Sequence, residues 1–179
     1  MDAIERERVI GELKAGRDAL GDAIAGVDDE LARRKPSGKA WSILGCVEHV
    51  VETERYLLSR LETAVLADQP FEKWRREVKI AARARDRSLR IEAPEQAHPH
   101  GRFRTVEEAM AAFDETRARV VRWVECSSDP RRLMTDHLLI EGPVTCTETL
   151  VMIAAHPARH AKQVEEIKQQ LQFQGSSRT

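Results

Sequence analysis

The chain of 179 residues is long enough to bury one good core and leaves little room for a second domain. A charged fraction of 33% beside a hydrophobic fraction of 41% suits solvated amphipathic helices better than a half-buried sheet. A net charge of -1 gives no default reading as a nucleic-acid or anionic-membrane binder. The opening "MDAIERERVIGEL" has no apolar signal region and no apolar run is long enough to span a bilayer, so a soluble cytoplasmic protein is expected. Cys46, Cys126 and Cys146 are odd in number and dispersed, which points to reduced thiols rather than a disulfide framework or a cysteine zinc site.

In the first segment Ile10, Leu13, Arg17, Leu20, Ile24, Val27 and Leu31 alternate three- and four-residue spacings, the seam of a bundle helix that runs to "RRKPSGK". Trp41 to about Ala67 forms the second helix, with Ile43, Val47, Val50, Leu57, Leu61 and Val65 on one stripe and Glu54 among them. The short turn between the two predicts antiparallel neighbours, with Glu54 and Arg17 at similar heights. From Asp68 to Arg104 the pattern is poorer; Pro70, Pro94 and Pro99 interrupt it around a partial helix, as in a long crossover. Its basic run, Lys73, Arg75, Arg76, Lys79, Arg83, Arg85, Arg87 and Arg90, is interleaved with Glu72, Glu77, Asp86 and Glu92 and reads as a solvated face.

"TVEE" announces the third helix by a capping box of Thr105 and Glu108, followed by a stripe of Val106, Met110, Phe113, Arg117, Val120 and Val124. "TCTE" repeats the signature at Thr145 and Glu148 and opens a fourth helix on Leu150, Ile153, His160, Val164, Ile167 and Leu171. The expected fold is all-α: a four-helix bundle with a long crossover between helices 2 and 3, as one domain over residues 1–174 with a polar tail at 175–179. Arg17, Glu54 and Arg117 each interrupt an apolar stripe, and buried charges persist only when paired; Glu54 is therefore expected to accept from at least one of the two arginines.

In "AAHPARHAKQ", His156 and His160 stand four apart, on one helix face. Alone, the pair is a weak metal signal, because no glutamate follows His156 as in zincins and a buried imidazole has commoner partners. Pro157, between them, removes a helical hydrogen bond and predicts a kink or bulge near Ile153 and Ala154. His49 sits at the margin of the second helix's apolar face; His98, His100 and His137 fall in loops and read as surface histidines. Cys46 reads as a small core residue, and Glu52 as an exposed acid or an acceptor orienting His49. Arg159 and Gln163 face either solvent or a substrate anion.

Taken together, "WSILGCVEHVVETE", "HGRFRTVEEAMAAFDETR" and "ETLVMIAAHPARHAKQVEEI", spanning Trp41 to Ile167, resemble the DinB-like family, bundles with an inward-facing three-histidine metal site. The resemblance implies His49, His156 and His160 as ligands of a divalent ion, zinc, nickel, iron or manganese, with a coordination position left open. It implies a metal-dependent hydrolase or a thiol-dependent S-transferase acting on a small-molecule substrate or a low-molecular-weight thiol, with the catalytic residues unassigned. The competing expectation is a non-catalytic bundle serving as a binding or dimerisation module, and a homodimer suits either.

Overall fold

The computed structural model describes residues 1–67, 74–89, 91–129, 133–135, 140 and 142–176, with backbone alone at 74–75, 133–135 and 174–176. Four long helices make the bundle: α1 (Ala3–Ile24), α3 (Ile43–Glu62), α5 (Val106–Cys126) and α6 (Cys146–Ser176). The short α2 (Asp29–Arg33) follows α1, and α4 (Trp74–Arg85) lies in the crossover between α3 and α5, which also holds a 3-10 turn at Glu95–Ala97. Helix α6 runs two residues into the stretch expected as tail.

Side-chain caps start these helices where the sequence places them. Asp2, Ser42 and Thr105 accept from the N–H three residues on, at 2.8, 3.0 and 3.1 Å. The box at α6 is reciprocal, with Thr145 N–H donating to Glu148 at 2.9 Å and Glu148 N–H to Thr145 Oγ1 at 3.2 Å. At α5, Glu108 instead receives the N–H of Arg104, at 2.8 Å. The first helix ends earlier than its periodicity predicts. The chain turns at Gly26, whose φ of 72° suits glycine, and restarts as α2 behind the cap of Asp28. Val27 and Leu31 still pack on the core, which is why the seam continues through a break in the helix.

Two apolar clusters show how the helices run. Leu20 and Ile24 of α1 share one end with Ile43 and Val47 of α3, Phe113 of α5 and Val164 and Ile167 of α6. Val9 and Leu13 share the other with Leu57, Leu61, Val120 and Leu150. Thus α1 and α6 run one way, α3 and α5 the other. Leu13, Leu20, Ile43, Phe113 and Leu150 are fully buried, and each contributes about 1.5–3 kcal/mol by leaving water.

Helix α1 packs on α6 and α5, and α3 on the same two. The first two long helices are therefore diagonal rather than neighbours, contrary to the expectation from their short connection. The insertion of α2 explains the difference, because it carries the chain across the end of the bundle. Parallel neighbours need a crossover, and the segment between α3 and α5 supplies it, with α4 laid against α6. Arg76 Nε of α4 lies 3.0 Å from the buried Glu148 of α6. With Arg87, 3.1 Å from Glu166, it shows that the basic run is partly ion-paired to the bundle; Lys73 and Arg90 lie outside the described residues. At the far end β1 (Val65–Leu66), β2 (Leu133–Thr135) and β3 (Val144–Thr145) form a small antiparallel sheet in that order, too short for any sequence period to reveal.

Arg17 pairs with Asp114 of α5 at 2.8 Å and is half-buried. Glu54 pairs with Arg117 at 2.7 Å, and both are buried. The Arg117 guanidinium also donates to Leu13 O at 2.7 Å and to Ile153 O at 3.4 Å, so one side chain of α5 reaches α1, α3 and α6. Ile153 O is the carbonyl that Pro157 leaves without its helical donor. Helix α6 continues through Pro157, and beside this point α1 comes so close that a Cβ on Gly16 would lie 2.2 Å from Ala154 O.

Candidate metal centre

Halfway along the bundle, α3 presents His49 and α6 presents His156 and His160 to a common cavity. One ring nitrogen from each lies within 4.8 Å of the others. The ring centroids are 5.1 Å apart for His49 and His156, 4.6 Å for His49 and His160, and 4.5 Å for His156 and His160. The i,i+4 spacing stacks the last two on one face of α6, and His49 meets them because α3 and α6 are adjacent.

The outer nitrogens are held by the protein. His49 Nδ1 lies 2.6 Å from Ala97 O; a carbonyl only accepts, so Nδ1 carries the proton and Nε2 keeps its lone pair. His160 Nδ1 lies 3.0 Å from Gln163 Oε1, which fixes the same tautomer. His160 Nε2 and His156 Nε2 are 3.0 Å apart, a separation at which two lone pairs repel unless a proton or a cation stands between them. Burial lowers His49 to about 4 against the hydrogen bond to Ala97, and it lowers His160 well below the usual range, with the neighbouring histidines adding to the effect. Both rings are therefore neutral at pH 7, the form that binds metal. Buried neutral imidazoles, each with its second nitrogen fixed by an acceptor, fit a divalent cation.

The carbonyl of Ala97 is positioned from behind. Glu48, buried beside His49 in sequence, accepts from the N–H groups of His100, Gly101 and Arg102 at 2.6, 3.0 and 3.2 Å and ties the crossover to α3. Trp41 covers the cluster, its ring 4.8 Å from His49 and 6.5 Å from His160. The cavity, about 770 Å3, continues past Thr53, Tyr56, Met152 and Arg159. The hydroxyl of Thr53, one turn after His49, is buried without a hydrogen-bond partner among the described residues.

Several expectations change here. Glu52 faces Arg55 at 3.0 Å and Arg102 at 3.9 Å rather than a histidine. Arg159 is buried and donates to the backbone of Asp86 and Leu89, holding the end of α4, so it is not free for a substrate anion. Gln163 orients His160, a role that its i,i+3 spacing makes readable in hindsight. Cys46 is buried in the core and burial pushes its thiol up to about 12, so it stays a thiol. His98 Nε2 donates to Ala93 O, 2.9 Å away, and stands outside the cluster. His137 lies outside the described residues. Glu48 and Ala97 had no signal in the sequence.

Fold and cluster together define a helical bundle with three histidines positioned to bind a metal. The DinB superfamily model matches residues 12–164, and the chain belongs to that family. Among solved structures it is similar to YfiT from Bacillus subtilis, described as "a probable metal-dependent hydrolase with an unusual four-helix bundle topology". That likeness has a TM-score of 0.58 at 12% identity and covers 96% of this chain and 90% of the other. No curated protein matches the chain.

Proposed function

We propose that His49, His156 and His160 bind a divalent ion, zinc, nickel, iron or manganese, and that the chain is a metal-dependent hydrolase of small molecules. The observation that carries this reading is the convergence of three histidine nitrogens in a cavity, with the outer nitrogens of His49 and His160 already bound to Ala97 and Gln163. A bound ion would act there as a Lewis acid, with a position open to the cavity. The chain's own contribution is to exclude water with Trp41, to keep the His49 and His160 imidazoles neutral, and to offer the Thr53 hydroxyl to whatever enters. Transfer to or from a low-molecular-weight thiol is the alternative chemistry for the same centre. The similarity to YfiT supports hydrolysis at the level of the fold.

A cytoplasmic setting goes with the free state of Cys46, Cys126 and Cys146. Among the described residues no helix is long and apolar enough to cross a membrane.

Elemental analysis of protein purified without a histidine tag or added metal tests the reading. About one divalent ion per chain in the wild type, and its loss in His160→Ala, is expected. A wild type that carries none and takes up none of the four ions on titration would turn attention to a binding or dimerisation module.

A further inference from the structure

Beside the histidine cavity lies a second cleft of about 650 Å3, between the turn that precedes α3 and the segment 98–104. The two share a wall formed by Lys39, Ala40, Trp41 and His98. Around the second cleft stand Arg33, Lys35, Lys39 and Arg104, four cations, and a single carboxylate, Glu48. That carboxylate is buried and held by the three backbone N–H groups of the crossover.

Other acids close in sequence are held in the same manner. Asp28 accepts from Leu31 N–H, Asp29 from Val106 N–H, and Glu108 from Arg104 N–H at the α5 cap. None of the four cations has a carboxylate within ion-pair distance among the described residues, whereas Arg17, Arg76, Arg87, Arg117 and Arg119 each face one. In a chain of net charge -1 this is a local excess, and a concave wall of one sign concentrates ions of the other. The cleft is also tied across: Arg33 Nη1 donates to Arg104 O at 2.8 Å, joining α2 to the start of α5.

We propose that this cleft binds the anionic end, a carboxylate or a phosphate, of a small-molecule substrate whose reacting end lies on the other side of Trp41, in the histidine cavity. The reacting half of this statement rests on the metal-centre reading; the anion site does not. It assigns the enzyme an elongated, anionic substrate class, with Lys39 and Trp41 at the junction of the two parts.

Calorimetric titration with inorganic pyrophosphate at low ionic strength tests it on the full chain. Saturable binding of one pyrophosphate per chain is expected, weakening with added salt and falling by about tenfold or more in the exposed charge reversal Lys35→Glu/Lys39→Glu. His160→Ala should bind pyrophosphate as the wild type does, and the charge-reversed protein should keep its metal and its helical circular dichroism. A wild type that takes up no metal yet binds pyrophosphate would therefore count against the centre alone. Absence of saturable binding by a folded wild type overturns the anion site, as does binding indifferent to the charge reversal. Binding of a short DNA duplex or of anionic vesicles, without pyrophosphate binding, would overturn it in favour of a polyanion surface.

Discussion

Helix α3 carries two buried polar systems five residues apart, and they differ in what they face. Glu54 faces protein: its partner Arg117 gathers α1, α3 and α6 onto α5 through one guanidinium. His49 faces a cavity, and the two imidazoles beside it bring no counter-charge. The pair is a junction of the four long helices, whereas the cluster directs its lone pairs at a space. Burial alone does not separate the two, since His49 is 5% exposed and Glu54 3%. What separates them is where the hydrogen bonds end.

The sharpest test of the contrast is removal of one partner from the pair. Glu54→Ala leaves Arg117 buried and uncompensated and should destabilise the protein by about 3–5 kcal/mol in urea denaturation. Glu54→Leu with Arg117→Met should lose less than the single change, because no charge is stranded. Equal losses would mean that the guanidinium's backbone bonds, not the pair, hold the junction. Burial raises Glu54 to about 7 against the pull of Arg117, and Glu54 Oε1 has no hydrogen-bond partner among the described residues, so the pair itself adds little net stability.

The histidines should show themselves by pH. His49 is lowered to about 4 from an ordinary 6.5, so the unfolded chain takes up this proton first. Its contribution is present above pH 6.5 and is lost as pH falls toward 4, by about 3 kcal/mol in the metal-free protein. His160 acts in the same direction. Denaturation midpoints of metal-free wild type and His49→Gln between pH 7 and 4 check this; the variant should keep only the part of the slope due to His160, and a slope as steep as the wild type's would place the His49 effect elsewhere.

Smaller effects probe the supports. Gly16→Ala, with its Cβ 2.2 Å from Ala154 O, should force α1 away from α6 and cost about 1–3 kcal/mol. Gly11→Ala on the same helix meets nothing within 4 Å and should gain about 0.5–1 kcal/mol. Glu48→Gln weakens the hold on the crossover and, through Ala97, on the His49 ring; metal affinity should drop by about 10-fold or more while the helices stay folded. Unchanged affinity in a metal competition assay would show that Ala97 is placed without Glu48.

Much of this was readable beforehand. The four amphipathic stripes, the capping residues Thr105, Thr145 and Glu148, the crossover and the pairing of Glu54 with an arginine all rest on local spacing or on the cost of burying charge, and both are written in the chain. The break at Gly26 was also present, as a glycine two residues before an aspartate cap, but the apolar period runs through it because Val27 and Leu31 still face the core. The resemblance to the family, together with the i,i+4 spacing, pointed to the three histidines that the structure brings together.

Which helices touch was left to the tertiary structure. Periodicity names the inward face of a helix but not the neighbour it meets, so α1 and α3 looked adjacent and are diagonal, and Arg17 found Asp114 instead of Glu54. Ala97 O on His49, Glu48 under the crossover and Arg117 on the carbonyl freed by Pro157 join residues 36 to 54 positions apart, often through backbone atoms that every residue possesses. Such contacts have no residue signature. The sequence alone determined the helices, their inward faces and which side chains had to find partners; packing in three dimensions decided which partners they found, because a helix face can be satisfied by any neighbour that fills and hydrogen-bonds it.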